Sequence, residues 1–215
     1  MTEKTTPDPS LVLSYLGLRR AIGIIGVGLP FALVLGKWLL ESPGLQPSIS
    51  DYYYTVMRDV FVGCMYAIGI FLMSYRGYEK ADNIAGNLAC VFAIGVACFP
   101  TTPLDPTPLH EKISYVHFSC AAAFFLTLAY FCLKLFTKTN PDKAMTRRKG
   151  TRNLIYKVCG WIILACVGLL AIYAAFLRDS VLARYELVFW LETIAILAFG
   201  FSWLTKGEAI LGDEA

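Results

Sequence analysis

Asp59, His117 and Glu192 are a carboxylate, an imidazole and a second carboxylate, and each lies within a long apolar run. An ionisable group inside a membrane span costs ~2.5–3.5 kcal/mol on insertion scales, so it faces protein or a water-filled cavity. These residue types suit two kinds of chemistry. Zinc takes imidazole and carboxylate ligands, and a catalytic zinc keeps one position for water. Without a metal, the same groups can exchange protons as acid and base.

Each of the three has company on its helical face. Thr55, Asp59 and Tyr66 share a stripe, with Arg58 beside Asp59. Ser114 and His117 are neighbours one turn apart, and His110 lies further back, about 10.5 Å along a straight helix from His117. Tyr185 and Glu192 are two turns apart. Two loops can roof a pocket over them: the stretch 48–54, with Ser50 and Tyr53, and the proline-rich stretch 100–108. A structural role is equally open. Asp59 would then pair with Arg58 or another cation, Glu192 would be protonated and hydrogen-bonded, and His117 would be a neutral donor between helices.

The elements that must position these groups are apolar runs of about twenty residues, the length that crosses a ~30 Å hydrocarbon core. They cover 21–40, 56–75, 84–100, 113–136, 154–177 and 187–204. Apolar residues make up 57% of the chain and charged residues 16%, against roughly 45–50% and 25% in a soluble domain. The expected fold is an all-α bundle of six transmembrane helices. A cytoplasmic tail and interfacial helix would occupy 1–20, the single membrane domain 21–205, and a second tail 206–215. Residues 1–9 are polar and lack the basic start of a cleavable signal.

Charge sets the orientation. The connector 137–153 holds Lys138, Lys143, Arg147, Arg148, Lys149 and Arg152. Arg76 and Lys80 follow the second run, Lys4, Arg19 and Arg20 precede the first, and Lys206 follows the last. The opposite connectors carry only Lys37, Lys112, Arg178 and Arg184. Cytoplasmic loops collect Lys and Arg, so both termini are expected in the cytoplasm and the chain in the cell (inner) membrane, multi-pass. Asp59, His117 and Glu192 then share the outer leaflet, about 6 Å inside their helix starts for the first two and about 8–13 Å for Glu192. The cluster Arg147–Arg152 attracts anionic lipid at ~1 kcal/mol per charge. No nucleic-acid partner is expected, because no soluble domain or interleaved aromatics present that patch.

Small residues mark close helix contacts, since packing drives association where lipid is as apolar as leucine. They are Gly23, Gly26 and Gly28 before Pro30 in the first run, and Gly86, Ala89, Ala93 and Ala97 in the third. The seven cysteines all fall inside runs and form no C-x-x-C pair, so they read as packing residues rather than disulfides.

The pattern Ser48-x-Ser50-x-Tyr-Tyr-Tyr-Thr55, followed by Arg58-Asp59, Phe99-Pro100 and His117, resembles a group of uncharacterised six-span prokaryotic membrane proteins over about residues 17–205. The resemblance implies the six-span fold and an extracytoplasmic polar cluster, with no activity attached. A fainter likeness is to the alkaline ceramidase and adiponectin-receptor superfamily of intramembrane zinc hydrolases. Those carry a Ser and a His on one helix, an Asp on the next and H-x-x-x-H on the last of seven. Here Ser114, His117 and Asp59 run in another order, and Glu192 stands on the last run without a histidine, so no residue role carries over.

The expected function is an extracytoplasmic-side pocket that binds a lipid or small amphiphile, lined by Ser50, Tyr53, Arg58, Ser114 and Tyr185. Hydrolysis would extend it, with a zinc-bound water held by His117, Asp59 and Glu192 and one of the carboxylates taking the proton. Two rivals stand beside it: a proton- or cation-coupled channel or transporter, and a non-catalytic partner or sensor subunit. Oligomeric state is not legible.

Overall fold

The computed structural model describes residues 9–75, 79–138, 147–177, 180 and 185–211. Lys4, Arg76, Lys143, Arg178 and Arg184, read above as orientation signals, lie outside the described residues. Among the described residues every regular element is helical: α1 (Pro9–Leu40), α2 (Arg58–Ser74), α3 (Lys80–Cys98), α4 (Pro108–Tyr130), α5 (Arg147–Ile172) and α6 (Leu187–Lys206). A short 3-10 turn, Ser50–Tyr54, joins α1 to α2, and α4 and α5 each end in a π-helical turn, Phe131–Leu135 and Tyr173–Leu177.

Five of the six helices are long and apolar enough to cross a bilayer, the build of a multi-pass membrane protein. The exception, α2, has 17 residues and spans about 25 Å at 1.5 Å per residue. Its outward residues match the other helices. Across the bundle Ile24, Phe31, Val91, Leu154, Trp161 and Leu169 are all at least half exposed. Such an apolar outer belt belongs in lipid rather than water.

The segment 11–20 and the first span form one continuous helix: α1 has 32 residues with Pro30 inside it and is about 48 Å long. No proline falls within 11–20, and the helix runs through Gly17.

Local signals start and stop the others. Glu79 and Asp82 form a reciprocal cap at the start of α3. Thr107 caps α4, with Pro108 at its first position, where the missing N–H has no helical partner to lose. Gly207 follows the last turn of α6.

The helices form a closed ring. Each packs on its neighbours in sequence, and α6 returns to pack on α1 as well as α5. The α1–α6 seam is a glycine interlock: a Cβ added to Gly200 would meet the Val27 nitrogen at 2.7 Å and the Gly23 carbonyl oxygen at 2.9 Å. The α2–α3 seam is as tight, because a Cβ on Gly86 would stand 2.5 Å from the Leu72 carbonyl oxygen. The small stripe of α3 is buried along its length, with Ala89 and Ala93 fully covered. Cys90, Cys132, Cys159 and Cys166 are buried, and all seven cysteines are free thiols.

The two ends of the ring differ. One carries the 3-10 turn and the start of α6. The other, where α6 ends, closes on an aromatic cluster in which Tyr75, Phe131 and Phe136 surround the buried Trp203 at centroid distances of 5.1–5.7 Å.

Candidate functional site

The chain leaving α1 is turned by Lys37, which is buried and donates to the Ser42 carbonyl (3.1 Å) and hydroxyl (3.3 Å). It then dips into the mouth of the ring as the 3-10 turn. The Asp51 N–H donates to Ser48 Oγ at 3.0 Å, and Thr55 Oγ1 donates to the Tyr52 carbonyl at 2.8 Å. These local side-chain bonds substitute for helix bonds at a turn start. Ile49 and Tyr52 are driven inward and are essentially fully buried.

The roof and α6 hold each other by exchange. The first turn of α6 has no side-chain cap. Instead the Phe189 N–H donates to the Pro47 carbonyl at 3.0 Å. In return Glu192 Oε2 accepts the Ile49 N–H at 2.8 Å, and the Ser50 N–H also points to that carboxylate. Tyr52 rests on the Phe189 ring. Donors that a short turn leaves unpaired are thereby met.

A second set of bonds ties the roof to the opposite wall. Thr101 Oγ1 donates to Asp51 Oδ1, and the Tyr54 hydroxyl donates to the Thr101 carbonyl. Burial, with Tyr53 and Asp51 adding to it, pushes the Tyr54 phenol up, so it remains a donor. Two residues before Thr101, the Phe99 carbonyl accepts His117 Nδ1–H at 2.6 Å. His117 is 1% exposed. Asp51 acts electrostatically on both Glu192 and His117.

Asp51, rather than Asp59, is the carboxylate that acts on both Glu192 and His117. Asp59 lies in the first turn of α2 and is exposed. Arg58 is exposed too: its Nε donates to the Tyr53 carbonyl at 2.7 Å and its guanidinium lies 4.7 Å from the Tyr53 ring. Both stay at the mouth because α2 begins at Arg58, leaving them no helical depth. Ser50 is buried and lies beside Glu192. Ser114 is buried, but its hydroxyl donates to the Glu111 carbonyl of its own helix at 2.8 Å. Tyr185 is exposed ahead of α6. His110 caps α4 with Thr107.

The zinc set is corrected accordingly. His117, Asp59 and Glu192 do not form a ligand cluster, and among the described residues no group of three His, Cys, Asp or Glu side chains is arranged to hold a metal. His117 commits one ring nitrogen to Phe99 and Glu192 commits an oxygen to Ile49.

Beneath the roof lies a cavity of about 30 Å³ in the middle of the ring, room for one or two waters. Its walls are apolar, among them Leu29, Phe61, Met65, Phe124, Ile196 and Phe199. Its polar lining comes from Ser50 and Glu192. Asp51 and Thr101 lie in the two loops expected to roof the pocket, but no helical spacing relates them to Glu192 or His117, so nothing in the sequence picks them out as its polar members. The one available signal is Ser48 three residues before Asp51, the spacing of a capping box.

No family model, no curated protein and no solved structure matches the chain.

Proposed function

We propose that the chain is a six-span protein of the cell membrane, with both ends in the cytoplasm, whose slot under the 3-10 roof binds a small amphiphile. The closed slot holds only one or two waters, so the ligand enters as the roof shifts: its polar end, an ammonium or hydroxyl, meets Glu192, and its apolar part displaces the side chains of Phe61, Met65, Phe124 and Phe199. The observation that carries this reading is one ionisable side chain lining an otherwise apolar cavity. A few convergent polar groups in a mostly apolar concavity are the usual make-up of a small-molecule site. The orientation is supported by Arg19, Arg20, Lys80, Lys138, Arg147–Arg152 and Lys206, which gather at the end away from the roof.

The reading is binding without turnover. Ser114 bonds within its helix and His117 bonds the Phe99 carbonyl, so these two do not form a nucleophile–base pair. Native mass spectrometry of the protein extracted in mild detergent tests it. A small amphiphile should co-purify with the wild type and be lost in Ala121→Phe, which fills the slot, and in Glu192→Gln. A wild type that carries no such molecule overturns the reading.

A second reading has its own support. A water-sized cavity beside an intramembrane carboxylate suits a proton or cation step. Flux into liposomes that is present in the wild type and absent in Glu192→Gln would favour it.

A further inference from the structure

The hydroxyls along the outer belt of the ring satisfy themselves. Ser74, Ser119 and Thr127 each donate to the carbonyl four residues back in their own helix, at 2.9, 2.8 and 2.7 Å. Such back-bonding leaves no hydroxyl bare to lipid. Lys157 of α5 is exposed as well, but its long stem lets the ammonium reach toward the headgroups.

Asn87 has neither remedy. It lies on the exposed side of α3, and among the described residues nothing bonds its amide. α3 has 19 residues and is one of the helices long and apolar enough to cross a bilayer. At 1.5 Å per residue Asn87 stands about 10 Å from one end of that helix and about 16 Å from the other. An asparagine side chain is too short to reach the headgroups from there. In hydrocarbon no water meets an unpartnered amide, which costs free energy. Depth and exposure together call for a partner outside the single chain.

The neighbours of Asn87 define the face that partner covers. Ile84 is 58% exposed and Val91 63% exposed on the same side of α3, and Ile94 and Cys98 continue the stripe. From Ile84 to Cys98 the steps alternate between three and four residues, the seam of two helices wound together. An apolar stripe alone is content in lipid. The carboxamide is not, and it is self-complementary. It carries donors and an acceptor, so two asparagines facing each other across a two-fold axis each give and take a hydrogen bond. Two carboxylates or two ammonium groups cannot do this. Copies inserted in the same direction are related by an axis along the bilayer normal, so their α3 helices run parallel and bring Asn87 level with Asn87. One asparagine in such a seam also fixes its register. Lys80 ends the stripe near the water, where two like charges can diverge.

We propose that two copies of the chain pair through the outer face of α3, with Asn87 against Asn87. The pairing rests on α3 crossing the bilayer. It is independent of the amphiphile slot and of which end of the ring faces the cytoplasm.

The test uses the full chain in liposomes, with energy transfer between donor- and acceptor-labelled copies followed as lipid dilutes the protein. The wild type should self-associate, and Asn87→Leu should weaken the association roughly tenfold. Asn87→Gln keeps the carboxamide and should retain most of it. The Tm of Asn87→Leu in detergent should equal or exceed that of the wild type, since leucine suits lipid, which separates lost pairing from lost folding. Oxidation in membranes should link Val91→Cys into a dimer. Leu169→Cys, on the exposed side of α5, should add no dimer beyond that of the native cysteines. A wild type that stays monomeric at every dilution leaves Asn87 to another occupant, a lipid headgroup or a different membrane protein, and overturns the proposal. Unchanged association in Asn87→Leu overturns it too, as does a dimer linked through position 169 and not through position 91.

Discussion

The Glu192 carboxylate accepts the Ile49 backbone N–H at 2.8 Å, although the two residues are 143 positions apart. That bond joins the last helix to the roof over the ring.

Glu192→Ala should lower Tm in detergent, because it strands the Ile49 and Ser50 N–H groups at ~1–3 kcal/mol each. Glu192→Gln keeps an acceptor oxygen and should cost clearly less. Equal losses for the two substitutions would mean that charge, not the bond to the roof, is what matters there.

Asp51 and Asp59 should separate. Asp51→Ala loses the Thr101 bond and should destabilise by about 1 kcal/mol. Asp59→Ala, at an exposed site, should stay within about 0.5 kcal/mol of wild type. Likewise His117→Ala should be worse than His110→Ala, since His117 is buried and bonded to Phe99 whereas His110 supports a helix cap. Denaturation of the four variants side by side checks the order.

Gly86→Ala forces a methyl against the Leu72 carbonyl oxygen, whose clearance is 2.5 Å. The loss should reach about 1–3 kcal/mol, the usual range for overpacking. Gly63 in α2 has nothing within 4 Å of an added Cβ, so Gly63→Ala should be neutral or slightly stabilising. Tm values of the pair decide it.

Alkaline pH should loosen the cap of α3. At Lys138 partial burial pulls the ammonium down, but the carboxylates of Asp82 and Glu79 outweigh it, and the net shift is above the ordinary 10.5. A raised folded value means that the pair's stability is complete below 10.5 and fades as pH climbs through the folded value. In Lys138→Gln that alkaline loss should vanish, and the protein should already be weaker at neutral pH, because Asp82 is 1% exposed and loses its partner. Tm followed from pH 7 upward for both proteins is the measurement.

The orientation is open to cysteine labelling. A cysteine at position 145, in a background without native cysteines, should react only after the membrane is permeabilised. Labelling from outside intact cells would reverse the topology.

The helices were legible because length and hydropathy act locally: every expected run contains a long helix. His117 and Glu192 were legible as inward-facing groups because a bilayer penalises them anywhere else. Asp51 was not, since its position depends on a loop folding back into the ring, set by partners at 101 and 192 that lie far along the chain. Asp59 looked buried only because α2 was expected to start two residues earlier. The aromatic floor was invisible for a related reason. Tyr75, Phe131, Phe136 and Trp203 come from separate segments and share no period.

The ring also dictates an order of assembly. Chain synthesis delivers α1 to α5 before α6 exists, so the glycine face of α1 at Gly23 and Gly26 stays bare until the last helix arrives. Glu192 enters the bilayer with that helix, and its waiting acceptor site is the Ile49 and Ser50 backbone, made more than a hundred residues earlier. Until then a five-helix intermediate has an open seam along Gly23 and Gly26, which only α6 can close.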